Sequence, residues 1–405
     1  MGKYIFGETM YTNTHGSWQR ILQKAHAAKI RPVCACSNPP NQCLMYVAHA
    51  RGTYQIKRMP DTGSMHAAFC EHYEPPAELS GLGQVAGTAI REIAETDTTV
   101  LSLDFPLTKG RSRLAGTPSE VEHESVKADG TKLTMRGFLH YLWDQANLTR
   151  WTPAMENKRS WYIVRRELLD AGSSKLAKGK PLANFLFLPE TFNLEKQDEI
   201  NTRRVATLSR LALQSTDRMI FIAPVKSFDD ARFGKSLTLK HLPDMRLMMS
   251  DDMHKHITSR FAHQLLLWGQ LDNTNLVTIS TVSRSSQGVY SVEACCLVNV
   301  NSNWIPFETA FEHELLQQLH LTARRFVKGL RYNLHSTKPL ACAVMQDTGD
   351  KPAALFVVPQ EAASSYDETI DVVTNEGRLN VWRWNAGVEN LPALPNRLVG
   401  THERP

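Results

Sequence analysis

The sequence predicts an α+β multidomain protein: an N-terminal zinc-knuckle and β-hairpin module, two mixed helix and strand regions, and a C-terminal αβββαβ unit. Three observations predict it. Four of the seven cysteines lie before residue 71, apolar periodicity switches repeatedly between helical and strand spacing, and 405 residues exceed one ordinary hydrophobic core. With 42% hydrophobic and 21% charged residues, wholesale disorder and fibrous repeats are excluded.

The first module is assigned to residues 1–118. Ser17 to Lys29 has apolar residues at helical spacing, and Leu44 to Ala48 and Thr53 to Arg58 flank Arg51-Gly52 as a β-hairpin. Cys34-x-Cys36 supplies two thiolates from one turn. His66-x3-Cys70 supplies two further donors that share a face if the segment is helical. Cys34, Cys36, His66 and Cys70 together suit a structural zinc ion, because four soft protein ligands leave no position for water. Cys43 and His72 are alternative fourth ligands, and reduced, partly buried thiols without metal are the bland alternative.

Residues 110–130 turn to Ser, Thr, Gly, Glu and Lys, the composition of an exposed linker. Beyond it, residues 131–195 read as helix (Met135 to Ala146), helix (Lys158 to Ala171), basic turn and strand (Leu182 to Leu188). That is the order of a winged helix, with Lys158, Arg159, Arg165 and Arg166 as phosphate contacts and Lys178 and Lys180 in a wing. The net charge of +5 is mild, but the clustering of basic residues favours DNA as a partner. Residues 196–300 mix helices and strands with no assignable role.

Residues 301–395 read as αβββαβ, the core order of the PD-(D/E)XK nucleases, in which carboxylates and a lysine gather Mg²⁺. Glu312 or Glu314 and Asp347 are the acidic candidates, with Glu314 and Asp347 carried forward. The third strand, Ala354-Leu355-Phe356-Val357-Val358, lacks both the acid and the lysine, so a degenerate, inactive unit is expected. Other motifs fail. Gly81-Leu82-Gly83-Gln84-Val85-Ala86 follows prolines rather than a buried strand, and Gly234-Lys235-Ser236 lacks the first glycine of a phosphate loop. His254 and His256 point to different helix faces, and His313-Glu314 has Gln317 where a metalloprotease needs its second histidine.

The start of the chain has no apolar export segment, and no apolar run approaches the roughly 20 residues of a membrane span. A cytoplasmic location without membrane association follows, with cysteines as thiols or metal ligands.

These residues resemble an uncharacterised bacterial domain-of-unknown-function family of plasmids and integrative and conjugative elements. The resemblance is carried by Arg31-Pro32-Val33-Cys34-Ala35-Cys36, Lys57 to Gly63, His66, Cys70, Tyr73-Glu74-Pro75-Pro76 and Ser80-Gly81-Leu82-Gly83. Leu139 to Trp151, Lys158 to Trp161 and Arg325 to Asn333 extend it. It implies the motif CxC...HxxxC as the ligand set, Cys43 being particular to this chain, and a setting in mobile DNA. The expected function is a zinc-containing DNA-binding or accessory protein of a mobile element. The alternatives are a Mg²⁺-dependent nuclease in the C-terminal unit and a non-enzymatic scaffold for transfer or maintenance proteins.

Overall fold

The computed structural model describes residues 2–36, 43–50, 52–93, 98–108, 130–211, 216–232, 234–349 and 351–398. The linker reading at 110–130 and the boundary at 118 fall almost wholly outside them. Among the described residues no helix is long and apolar enough to cross a membrane.

The N-terminal module packs the helix Trp18–Ala27 against the hairpin Met45–Ala50 and Thr53–Arg58, and a small sheet joins Lys3–Phe6, Thr9–Thr12 and Val33–Cys34. Leu22, Ala25 and Val47 bury the amphipathic face of that helix.

The largest core cluster draws its members from Val85 to Tyr332, so packing ignores the boundaries expected at 195 and 300. At its centre lies a barrel. Met219–Asp230 pairs with both Lys235–Leu239 and Asn275–Arg284; Leu242–Met249 and Tyr290–Val300 complete the ring. A bulge between Val225 and Ser227 lets the first strand bend from one partner to the other. The closing contact, Met248 opposite Ser291, is the ring's one parallel pairing. Two helices, Asp251–Arg260 and Ala262–Gln270, lie between the third and fourth strands. Ser250 starts the first of them by accepting from the Met253 N–H, at 3.1 Å. Periodicity alone reads 251–268 as one helix; the break falls at Phe261, which is buried.

The helices expected in 131–195 are present as Met135–Gln145 and Trp161–Ser173. They do not form a separate winged helix. The wing, Lys175–Ala177 and Lys180–Pro181, turns tightly through Lys178 and Gly179, both at positive φ, and is the edge of a sheet built on Thr98–Leu101. The strand expected over 182–188 shrinks to Leu186–Phe187, which extends the barrel sheet instead.

The C-terminal unit follows the order read from sequence: helix Ala310–Leu321, strands Phe326–Lys328, Ala343–Met345 and Ala353–Pro359, helix Ala363–Glu376 and strand Asn380–Ala386. Its first strand is displaced from the expected 329–333, and Arg150–Trp151 adds a further edge strand from the helix-pair region. Gly377, at φ 64°, ends the second helix in the left-handed conformation that glycine adopts without penalty.

Candidate metal centre

The donors of Cys34, Cys36, His66 and Cys70 all lie within 4.8 Å of one another. Cys34 ends a strand held to Tyr4 of Lys3–Phe6, which fixes its direction. Cys36 sits two residues on, in the following turn. His66 and Cys70 do not share a helical face as the spacing suggests. A single 3-10 turn, Gly63–Met65, ends at His66 in extended backbone, and Cys70 follows in a chain of turns. Turns bring the pair together because Cys70 N–H bonds to the Ala67 carbonyl at 2.8 Å, reversing the chain between the two donors.

Cys34 Sγ lies 3.7 Å from Cys70 Sγ, and His66 Nδ1 lies 3.6 Å from Cys70 Sγ and 3.3 Å from Cys36 Sγ. Tetrahedral zinc with its usual bond lengths requires sulfur–sulfur edges of about 3.8 Å and sulfur–nitrogen edges of about 3.6 Å. The cluster therefore has the dimensions of a closed four-ligand site. Two amides support the sulfurs: Ala67 N–H points at Cys36 Sγ (3.5 Å) and His72 N–H at Cys70 Sγ (3.4 Å). Such second-layer bonds orient thiolate ligands. His66 Nε2 is buried without a hydrogen-bond partner among the described residues.

The electrostatics agree. Hydrogen bonds from the Cys34 and Cys36 thiols hold the Cys70 thiol down to about 4, whereas hydrogen bonding with Cys36 and Cys70, then burial, push Cys34 far up. A divalent ion among the sulfurs would favour their thiolate forms.

The alternative ligands are engaged elsewhere. Cys43 is buried with its Sγ donating to the Met65 carbonyl at 3.3 Å. His72 Nε2 meets the Tyr4 hydroxyl at 2.7 Å, and burial lowers its basicity to about 4. Tyr4 in turn donates to Glu71 at 2.6 Å, tying the first strand to the ligand loop.

The nuclease candidates do not converge into a metal site. Glu314 is exposed on its helix, while Asp347 is 5% exposed and locked in a forked ion pair with Arg324. Glu312 is buried too, 3.4 Å from the Lys328 ammonium.

The expected DNA contacts are also dispersed. Arg159 is a structural cation: its guanidinium donates to the carbonyls of Leu148, Arg150 and Asn303 and lies 5.4 Å over the Trp151 ring. Burial lowers its pKa to about 10. Arg165 bonds the Leu188 carbonyl, and Arg166 pairs with the adjacent Glu167. Lys158, Lys178 and Lys180 are exposed.

The family model described as "Protein of unknown function (DUF1173)" matches residues 4–387. The chain belongs to that family. The DUF1173 match begins before Cys34 and ends after the last strand, so it takes in the Cys/His cluster, the barrel and the αβββαβ unit alike. No curated protein and no solved structure matches the chain.

Sequence reasoning found the cluster because its four ligands are chemically distinctive. It passed over Lys226, Arg246, Arg284 and Tyr290, which lie on the barrel and carry no spacing signature.

Proposed function

We propose that the chain is a zinc-containing nucleic-acid-binding or accessory protein whose contact surface is the five-stranded barrel rather than the helix pair 135–173. The observation that carries this reading is connectivity. Counted along the chain, the barrel strands neighbour one another in the order first, second, third, fifth, fourth, with third and fifth parallel and helices between third and fourth. This is the arrangement of OB-type barrels, which bind oligonucleotides and oligosaccharides on the second and third strands and the loops beside them.

The surface chemistry supports nucleic acid. Lys226 and Arg246 are exposed on the first and third strands, and Arg284 lies 5.3 Å over the Tyr290 ring at the base of the loop 285–289. A cationic strip beside an aromatic face suits a single strand, whose phosphates need charge and whose bases stack. The zinc ion that we assign to Cys34, Cys36, His66 and Cys70 is structural in this reading, and the binding is non-hydrolytic. Bacterial mobile DNA is the setting we assign, in line with the sequence resemblance, with transfer or maintenance proteins as further partners.

The test is fluorescence anisotropy with a labelled single strand of about 16 nucleotides and its duplex, at rising salt. Single-strand binding that weakens steeply with salt, and that falls about tenfold in Arg246→Glu, is expected. Absence of binding to either form at low salt would reject the reading, and elemental analysis of the same preparation checks the zinc.

A further inference from the structure

A cavity of about 230 Å³ opens between the helix Trp161–Ser173, the segment 183–192, the turn at His241 and the helix Gln197–Leu208. That is roughly eight times a water molecule's share of liquid volume. Its walls are divided by chemistry. Leu169, Leu186, Leu188, Ile200 and Leu242 supply an apolar lining, and four arginines face two carboxylates around it.

The charges do not cancel. Arg203 forks onto Glu190 at 2.9 Å through both nitrogens, and Arg204 forks onto Asp244 at 2.7 and 2.6 Å. Both carboxylates are thereby used. Arg165 donates only its Nε, to the Leu188 carbonyl at 2.9 Å, and Arg210 only one Nη, to the Ala183 carbonyl at 3.0 Å. Their remaining N–H groups, and the side-chain amide of Asn201 in the same wall, have no hydrogen-bond partner among the described residues. Two guanidiniums thus keep donors free beside an apolar chamber, the arrangement that holds an anionic head with an apolar body.

The covering helix has little apolar attachment of its own. Leu208 is its one buried residue, and the ion pairs at Glu190 and Asp244 join it to the facing wall of the chamber. We propose that this cavity is a binding site for a small carboxylate or phosphate monoester with an apolar body, its anion taken by Arg165 and Arg210. The site is separate from the metal cluster and stands whether or not the barrel binds nucleic acid.

Phenyl phosphate and benzoate are the probes, benzyl alcohol is the neutral control of similar size, and inorganic phosphate tests the head alone. Titration calorimetry on the full chain should show at least one of the two anionic aromatics binding about tenfold or more tighter than benzyl alcohol and than inorganic phosphate. Arg165→Met and Arg210→Met should each cost about tenfold in that affinity. Circular dichroism checks folding, and Arg210, being exposed, provides the variant that keeps the test alive if Arg165→Met does not fold. Equal binding of benzyl alcohol, binding of neither anionic aromatic, or folded variants with unchanged affinity would overturn the assignment.

Discussion

Arg324 and Asp347 face each other as a forked, solvent-sealed pair, with Nε 3.0 Å from Oδ2, Nη2 2.9 Å from Oδ1 and side-chain exposures of 5% and 3%. The Arg325 amide adds a third donor to Oδ2 at 3.1 Å. An aspartate so fully used cannot also hold Mg²⁺ without stranding a buried guanidinium. Asp347→Ala should therefore destabilise the fold by about 3–5 kcal/mol, the cost of an uncompensated buried charge. Urea denaturation measures it; a loss below about 1 kcal/mol, typical of exposed pairs, would contradict the finding.

Removing the metal should unfold the ligand module and spare the barrel. Cys34 is tied to Tyr4, and Tyr4 to Glu71, so the first strand and the ligand loop depend on the same cluster. With chelator, or in Cys34→Ser, hydrogen exchange should accelerate throughout 4–36 and 43–73 while the strands of 219–300 stay protected. Exchange in 4–36 and 43–73 that does not change with chelator would mean that the module does not depend on an ion.

Acid should weaken the protein through His140. Its Nδ1 accepts the Tyr332 N–H at 3.0 Å, and burial, then Arg136, lower its pKa to about 3. The unfolded chain takes up a proton near pH 6.5 that the folded chain refuses, so this stability is complete above 6.5 and is lost as pH falls toward 3. At pH 5 the loss is about 2 kcal/mol. In His140→Gln, whose carboxamide can still accept, the decline in urea stability between pH 7 and pH 5 should shrink by that amount. An unchanged decline would assign it to other groups.

Gly81 answers to packing rather than to a dinucleotide. Its N–H donates to the Leu330 carbonyl at 2.9 Å, and a Cβ there would sit 1.8 Å from the Arg331 carbonyl oxygen. Gly81→Ala should cost about 3 kcal/mol through overpacking, read as a lowered urea midpoint. Gly87, at φ 72° with open space around it, provides the comparison: Gly87→Ala should strain only its own backbone, at about 1 kcal/mol.

Local chemistry made part of this protein legible from sequence alone. The candidate metal ligands were readable because thiols and imidazole in such spacing have few other uses, and the αβββαβ order because its elements are local and strongly periodic. Pairing across long separations was not readable. The barrel closes through Met219–Asp230 meeting Asn275–Arg284, and nothing in either segment names its partner. The basic residues show the same divide: sequence lists Arg159 and Arg165 as available cations, but only the fold turned the Arg159 guanidinium and the Arg165 Nε onto main-chain carbonyls. A side chain's type is fixed locally; the partners that satisfy or free its charge depend on which distant backbone comes to lie beside it.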